Sequence, residues 1–505
     1  MSGSLQSAAK SNGALTLDCD VVVVGSGAGG AVAATTLAEA GRDVVLLEEG
    51  PHVPDTGQMR PSESVRNSWR DGAVTLALGL GGSPSINVTS GRCLGGSSTA
   101  TGGVCFRIPD HVLEGWVRDG LGELTPAKMQ PWFEKVERDV HVEEVPVELR
   151  SKSTHLFGVG LAKLGEPLKP MRRNTRGCNG CGRCNFGCPH HAKLSVDVSY
   201  LPRALAQGAR IYTGALIERV DFSGTRATGV SGRVLNRDTF KPGPALTVRA
   251  KQVVLAAGAM FNPKILNQSG LRHPAIGSHL SLHPSFRVIG RFDEPVRGWE
   301  GAMQSAYGDQ YEKSDGMLFN SVFVPNGVLA ATLPGFGATH AKLRAQIPHL
   351  GIFGGMLHDD AMGRVRSGFG REPILTYRMS PRDRARIPTL LRRMGEIWFA
   401  AGAKEIFLPV FGAPGQTPDS FARFDLTRVP GRLLECSSQH PLGTCAMGPD
   451  EKRSVVNDRG QVWGTQGLHV VCGSIMPSSL GVNPQLAIMT MAMRISTMLA
   501  DQPRG

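Results

Sequence analysis

The sequence predicts an α/β protein: a parallel, dinucleotide-binding sheet assembled from separated segments, joined to an α+β unit built on an antiparallel sheet. Three observations predict it. Residues 20–50 read as strand, glycine-rich turn, helix and strand in that order. Residues 251–270, KQVVLAAGAMFNPKILNQSG, return to the same apolar-strand-then-helix pattern late in the chain. Between 283 and 430 the character changes to β-prone segments such as SFRVIGRF and EPILTYRM, with Met, Phe and Gly between them.

The first unit carries most of the signal. Asp20–Val24 is a short apolar run, as expected of a parallel strand covered on both faces. Gly25, Gly27 and Gly30 follow at G-x-G-x-x-G spacing, ahead of the Ala-rich helix AVAATTLAEA. Gly25 permits the tight turn, Gly27 lets the backbone approach a pyrophosphate, and Gly30 lets helix and strand pack closely. The phosphates would sit on the helix N-terminus, where free N–H groups and the dipole favour anions. The strand DVVLLE then ends at Glu48, the distance at which a carboxylate meets a ribose hydroxyl. Glu49 is adjacent, so the choice between the two stays open. Together these features make a Rossmann-like site rather than an isolated glycine turn.

Further along, 80–103 is rich in Gly and Ser within non-linker surroundings, which points to backbone pressed against a ligand. Residues 111–140 read as helical, with Pro131 opening an amphipathic stretch, and 215–235 as a β-meander turning at Gly224. A helix is expected at 382–402 and a last one at 484–500. The division follows: a disordered tail at 1–17, a dinucleotide domain at 18–282 with a cysteine-rich insert at 172–192, a substrate domain at 283–430, and a return to the first domain at 431–505.

The 505 residues carry a formal charge of +12 with a pI near 9.4. The basic residues are scattered, which argues against nucleic acid as the partner. An anionic lipid surface or an acidic electron-transfer partner suits the charge better. Residues 1–17 lack the apolar core of a signal peptide, and no apolar window approaches the roughly 18 residues a membrane span needs. The expectation is a soluble, cytoplasmic protein with no transmembrane segment, in which ten cysteines are poorly explained by disulfides.

Four of the ten, Cys178, Cys181, Cys184 and Cys188, precede Pro189 in the order C-x2-C-x2-C-x3-C-P, the bacterial ferredoxin run. Glycines at 180, 182 and 187 let the backbone curl around a cluster. In two-cluster ferredoxins the last cysteine serves the other cluster, so here the fourth ligand is Cys188 bent back, a distant Cys, or absent. Zinc, disulfides and plain buried thiols are the competing readings.

The chain resembles the glucose-methanol-choline (GMC) oxidoreductases, on motifs that run its whole length. They are VVVGSGAGG with Glu48, GRCLGGSS at 91–98, VVLAAGAMFNPKILNQSG at 253–270, HPLGTCAMG at 440–448 and VVNDRGQVWGTQGLHVVCGSIMPSSLGVNP at 455–484. The resemblance implies FAD rather than a nicotinamide. It carries over Arg92, Gly95, Gly96 and Ser97 from the second loop, Val220 as a backbone contact to adenine, and Gly473 and Ser474 at the flavin-proximal strand end. Thr101 stands where the family has Asn, and Cys472 where it usually has Asp, which leaves one ribityl or phosphate contact open. Members that hold FAD covalently have a His in the second loop; this chain has Ala100, so non-covalent FAD is expected.

Oxidising an alcohol needs a base for the hydroxyl proton and an acceptor for the α-hydride. The resemblance places His440 at the catalytic histidine position, and imidazole suits a general base. Asn483 occupies the position of the family's oxygen-binding His or Asn, and is also a good N-cap ahead of Pro484. The expected activity is FAD-dependent oxidation of a hydrophobic aliphatic or aromatic alcohol, with a protein or quinone as acceptor. The alternatives are an O2-using oxidase and a flavin-containing lyase that cleaves cyanohydrins.

Overall fold

The computed structural model describes residues 3–10, 13–54, 59–236, 239–368 and 370–502. Among them two large sheets form, with helices packed on both. In the first, the strands lie in the order Ser4–Ser7, Arg210–Thr213, Val44–Glu48, Leu15–Val24, Pro242–Leu255, Arg226–Leu235 and Ala215–Ser223. Leu468–Val470 adds a further strand against 253–255. Val21–Val24 pair in parallel with 44–47 on one side and 252–255 on the other. Their side chains are at most 4% exposed, which is why polar alternation is missing there.

Helix Ala28–Glu39 follows the first glycine turn and packs on helix Gln485–Ala500. A Cβ on Gly30 would stand 1.8 Å from Gly25 O, so only glycine lets this helix lie so close to its strand.

The second sheet is mostly antiparallel. Ser285–Arg291 pairs with Leu350–Leu357, which pairs with Met317–Ser321. Helix Pro381–Ala400 covers it, and Trp398 is buried against Phe353 and Phe292 with its Nε1–H donated to Val288 O at 2.9 Å. Strands Leu76–Gly79, Ile86–Val88 and Cys436–Ser438 also join this sheet. The substrate unit is therefore not confined to 283–430: it borrows strands from before and after that range. One chain crosses between the sheets several times, and a composition shift does not register such short crossings.

Three further expectations are corrected. The tail is not disordered throughout: Ser4–Ser7 is an edge strand in parallel register with Arg210–Thr213, and Ala8 is buried. Its partner lies far away in sequence, so local composition does not reveal it. Residues 111–140 form two helices, Asp110–Arg118 and Pro126–Asp139, broken by a turn at Gly120, and Pro131 lies inside the second. The final helix has Pro484 at its cap position with no side-chain cap, so Asn483 does not serve as N-cap. No described helix is long and apolar enough to cross a membrane.

Candidate active site

Both sheets open onto one cavity of about 790 Å³. Its nucleotide end is built by the first βαβ unit. Gly25, at φ +99°, turns the chain so that Gly27 caps the helix with no side chain over its first N–H groups. A Cβ on Gly27 would meet nothing nearer than 4.0 Å, which leaves the helix end open to a phosphate. Glu48 lines the cavity, accepting from Ser26 N at 3.0 Å, Ser26 Oγ at 2.6 Å and Gly50 N at 2.8 Å. Burial pushes its carboxyl up. Glu49 also lines the cavity but is ion-paired with Arg70 at 2.6 Å and with Arg371, which hold it below the ordinary carboxylate range against the opposing effect of burial. Glu48 is thus the carboxylate free of a cation partner among the described residues.

The second loop meets the first from across the cavity. Gly96 and Ser97 line it, and a Cβ on Gly96 would fall 2.8 Å from Gly27 Cα. Gly95, at φ +91°, donates its N–H to Ser26 Oγ at 2.9 Å and ties the two loops together.

The other end of the cavity holds His440 and Asn483, with Gly473 and Cys472 beside them. His440 Nε2 lies 3.2 Å from Asn483 Nδ2. His440 Nδ1 lies 3.3 Å from Nδ1 of His283, a residue that sequence reasoning missed. His283 is fully buried at φ +47°, a conformation a non-glycine residue adopts only when its surroundings impose it. Asp359 is one source of that constraint. Its buried carboxylate accepts from His283 N at 3.2 Å, Ser281 Oγ at 2.7 Å, Ser479 Oγ at 2.9 Å and Tyr377 OH. The first segment, 281–283, and the loop before Asn483 are thereby held together. Neither SLHPSF nor LHDD has a spacing that would have flagged these residues.

Hydrogen-bond bookkeeping orders the pair. His283 Nε2 faces the N–H groups of Leu480 at 3.1 Å and Gly481 at 3.2 Å, so it must be an acceptor. Its proton then sits on Nδ1 and is donated to His440 Nδ1. Neutral His440 consequently carries its proton on Nε2, toward Asn483. Turning the Asn483 amide so that Oδ1 faces that N–H satisfies both groups, and Oδ1 is otherwise buried without a partner. Burial holds His440 well below the usual imidazole range, with His283 adding to it, and pushes His283 to about 3.

Several sequence-predicted residues lie off the cavity wall. Gly30 acts in packing. Arg92 stacks on Phe240 at 4.4 Å and faces Asp71 at 3.8 Å; Arg70 lines the cavity in its place. Val220 is buried, with its N–H donated to Ser269 Oγ at 2.8 Å, while 215–218 supply the wall. The strand bulges between Ile217 and Arg219, and a bulge re-aims the residues beside it. Ser474 turns inward to Asn262, whose Nδ2 donates to Ser474 Oγ at 3.0 Å and to Cys472 Sγ at 3.1 Å. Cys178, Cys181, Cys184 and Cys188 share one loop beside the cavity, where Asn185 contributes to the wall.

Family models described as GMC oxidoreductase match residues 19–285 and 363–492. The chain belongs to the GMC oxidoreductase family. It is 38% identical over 483 residues to an uncharacterized GMC-type oxidoreductase of Mycobacterium tuberculosis, covering 94% of this chain and 75% of that one. Similarity extends to a long-chain-alcohol oxidase of Arabidopsis thaliana (28% identity, 96% and 68% covered) and a cholesterol oxidase of Acinetobacter baumannii (25%, 94% and 93%). Pyridoxine 4-oxidase from Mesorbium loti has a similar fold, with a TM-score of 0.73 at 21% identity over 95% of this chain and 99% of that one.

As a GMC oxidoreductase this chain is a flavoprotein, and the cavity fits FAD on its own terms. The open helix end at Gly27, the cation-free Glu48 and the glycine contact at 96 suit a dinucleotide. The buried Gln485 Nε2 lacks a partner on the wall of the same cavity.

Proposed function

We propose that this GMC oxidoreductase oxidises a hydrophobic alcohol to its carbonyl compound, with electrons leaving to an acceptor other than a nicotinamide. One observation carries the reading: His440 and Asn483 meet at 3.2 Å on the wall of the cavity whose far end is the dinucleotide loop. The wall of the same cavity includes the apolar side chains of Met260, Phe286, Val322, Phe323, Ile352 and Met356 beside the polar Arg287, Gln304 and Asn320. The long-chain-alcohol and cholesterol oxidase relatives support an apolar substrate.

Gly27, Gly96, Ser97 and Glu48 would hold FAD, non-covalently since residue 100 is alanine, and FAD would supply the acceptor for the α-hydride. The chain's own part is to hold the alcohol oxygen between His440 and Asn483 and to exclude water. To act as the base, His440 would take the hydroxyl proton on Nε2 as the C–H bond breaks, which needs the opposite tautomer with Nε2 bare; burial keeps the ring neutral at neutral pH.

The His283 geometry favours a second reading. With its proton on Nε2, His440 is a donor that stabilises negative charge developing on the substrate oxygen. His440→Gln separates the two, since glutamine donates but does not act as a base. Activity lost as fully as in His440→Ala supports the base; activity largely kept supports the donor.

The reaction itself is tested by mixing the enzyme without oxygen with primary alcohols of increasing chain length. Bleaching of the flavin absorbance, saturating at lower concentration for longer chains, is expected. Cyanohydrin cleavage with no bleaching by any alcohol would overturn the reading in favour of the lyase.

A further inference from the structure

We propose that the loop 178–188 binds an iron–sulfur cluster whose negative charge is balanced by two buried cations, Arg173 and Lys193. The ferredoxin-like spacing is one line of support, and the structure adds an independent one.

Arg173 is 0% exposed and Lys193 3%. Neither has a carboxylate within salt-bridge distance among the described residues. Arg173 donates Nε–H to Gly102 O at 2.7 Å and Nη2–H to Cys184 Sγ at 2.9 Å, while its Nη1 has no partner. Lys193 Nζ shares its three N–H groups among four carbonyl oxygens, of Ser98 at 3.1 Å, Thr99 at 2.7 Å, Thr101 at 2.9 Å and Cys184 at 2.9 Å. Lys193 lies within electrostatic range of the Asp197 carboxylate and of Arg173, so one nearby carboxylate faces two buried cations; a second anion would offset the remaining charge, and four neutral thiols supply none. A thiolate-ligated cluster does.

The loop is shaped for it. Gly177, Gly180, Gly182 and Gly187 all take positive φ, and the backbone is pinned from outside by Gly301 N to Gly180 O, Ser64 Oγ to Phe186 O and Trp69 Nε1 to Asn185 O. Cys181 lies within electrostatic range of Cys178, Cys184 and Cys188. No three of the four sulfurs come within 4.8 Å of one another, whereas a single tetrahedral zinc would draw them to about 3.8 Å. A cubane spreads its ligands over different irons and tolerates the wider spacing. The cluster would stand beside the cofactor cavity, because Lys193 grips the loop 98–101 and Asn185 forms part of the cavity wall.

The test is iron and acid-labile sulfide analysis, with electron paramagnetic resonance, on protein isolated without oxygen and again after anaerobic reconstitution with ferrous iron and sulfide. About three to four irons with matching sulfide per chain are expected. Cys178→Ser and Cys181→Ser, on the half-buried side of the loop, should each lose most of the iron and keep FAD. Arg173→Gln should lower iron retention as well. Zinc in place of iron, no iron or sulfide after reconstitution, or full iron content in both cysteine variants would overturn the proposal. None of these readouts depends on alcohol turnover, so failure of the alcohol reading leaves the outcome interpretable.

Discussion

The nucleotide end of the cavity and its chemical end are built in opposite ways. The first is almost one continuous stretch: strand, turn, helix and strand within 20–50, with a second loop at 95–97 laid across it. The second collects His283, Asp359, His440 and Asn483 from four remote segments, joined through hydrogen bonds rather than through sequence. A continuous site is specified by steric rules at each position. A collected site is specified by whether its buried polar groups find partners, and a fault in one partner is passed to the next.

That contrast can be broken, and the largest effect is expected where sterics are tightest. A Cβ on Gly29 would stand 2.0 Å from Val471 O, so Gly29→Val should abolish FAD loading, read as the flavin-to-protein absorbance ratio of purified protein. Gly27→Ala, whose Cβ has room, should leave a folded protein that binds FAD about tenfold more weakly by titration. Equal losses in the two variants would show that the loop does not work position by position.

At the chemical end, His440→Ala should cut kcat/KM for alcohol on the order of a hundredfold or more while FAD stays bound. Near-native activity would remove His440 from the reaction. Asp359→Asn sharpens the comparison, because Asp359 touches His283 and Ser479 but does not line the cavity. It should lower kcat by about tenfold with KM little changed, as expected when a positioning group is weakened. An unaltered kcat would mean the His283–His440 arrangement does not need it.

The smallest effect concerns stability. His283 is pushed down to about 3 and His469 to about 4, both by burial, against about 6.5 when unfolded. Between those values the unfolded chain binds protons that the folded one refuses, so stability is full above about 6.5 and falls as pH drops. Each histidine should cost about 1.4 kcal/mol per pH unit over that window. Urea midpoints at pH 7, 6 and 5 measure the slope, and His469→Phe should reduce it. A slope unchanged in that variant would show that His469 is not excluded from protonation.

Much of the nucleotide end was legible because its cause is local. Glycine spacing, an apolar strand and a terminal carboxylate each leave a mark at a fixed distance. Val220 shows the limit: motif position pointed to it, but the strand bulges at 217–219 and the wall is made by 215–218. Arg92 fails for a related reason, since a cation one loop away, Arg70, reaches the cavity and pairs with Glu49. His283 had no local mark at all.

By itself the sequence determined the α/β class, the open helix end at Gly27, the identity of the carboxylate pair and the cysteine run. Those depend on backbone conformation and on residues close in the chain. Only the tertiary structure decided that Ser4–Ser7 joins a sheet, that strands from both ends of the chain complete the second sheet, and that His283 sets the proton position on His440. It also decided that Arg173 and Lys193 are buried beside the cysteines. Hydrogen-bond partners and counter-charges are set by folding distant segments together, and no periodicity along the chain records which of them will meet.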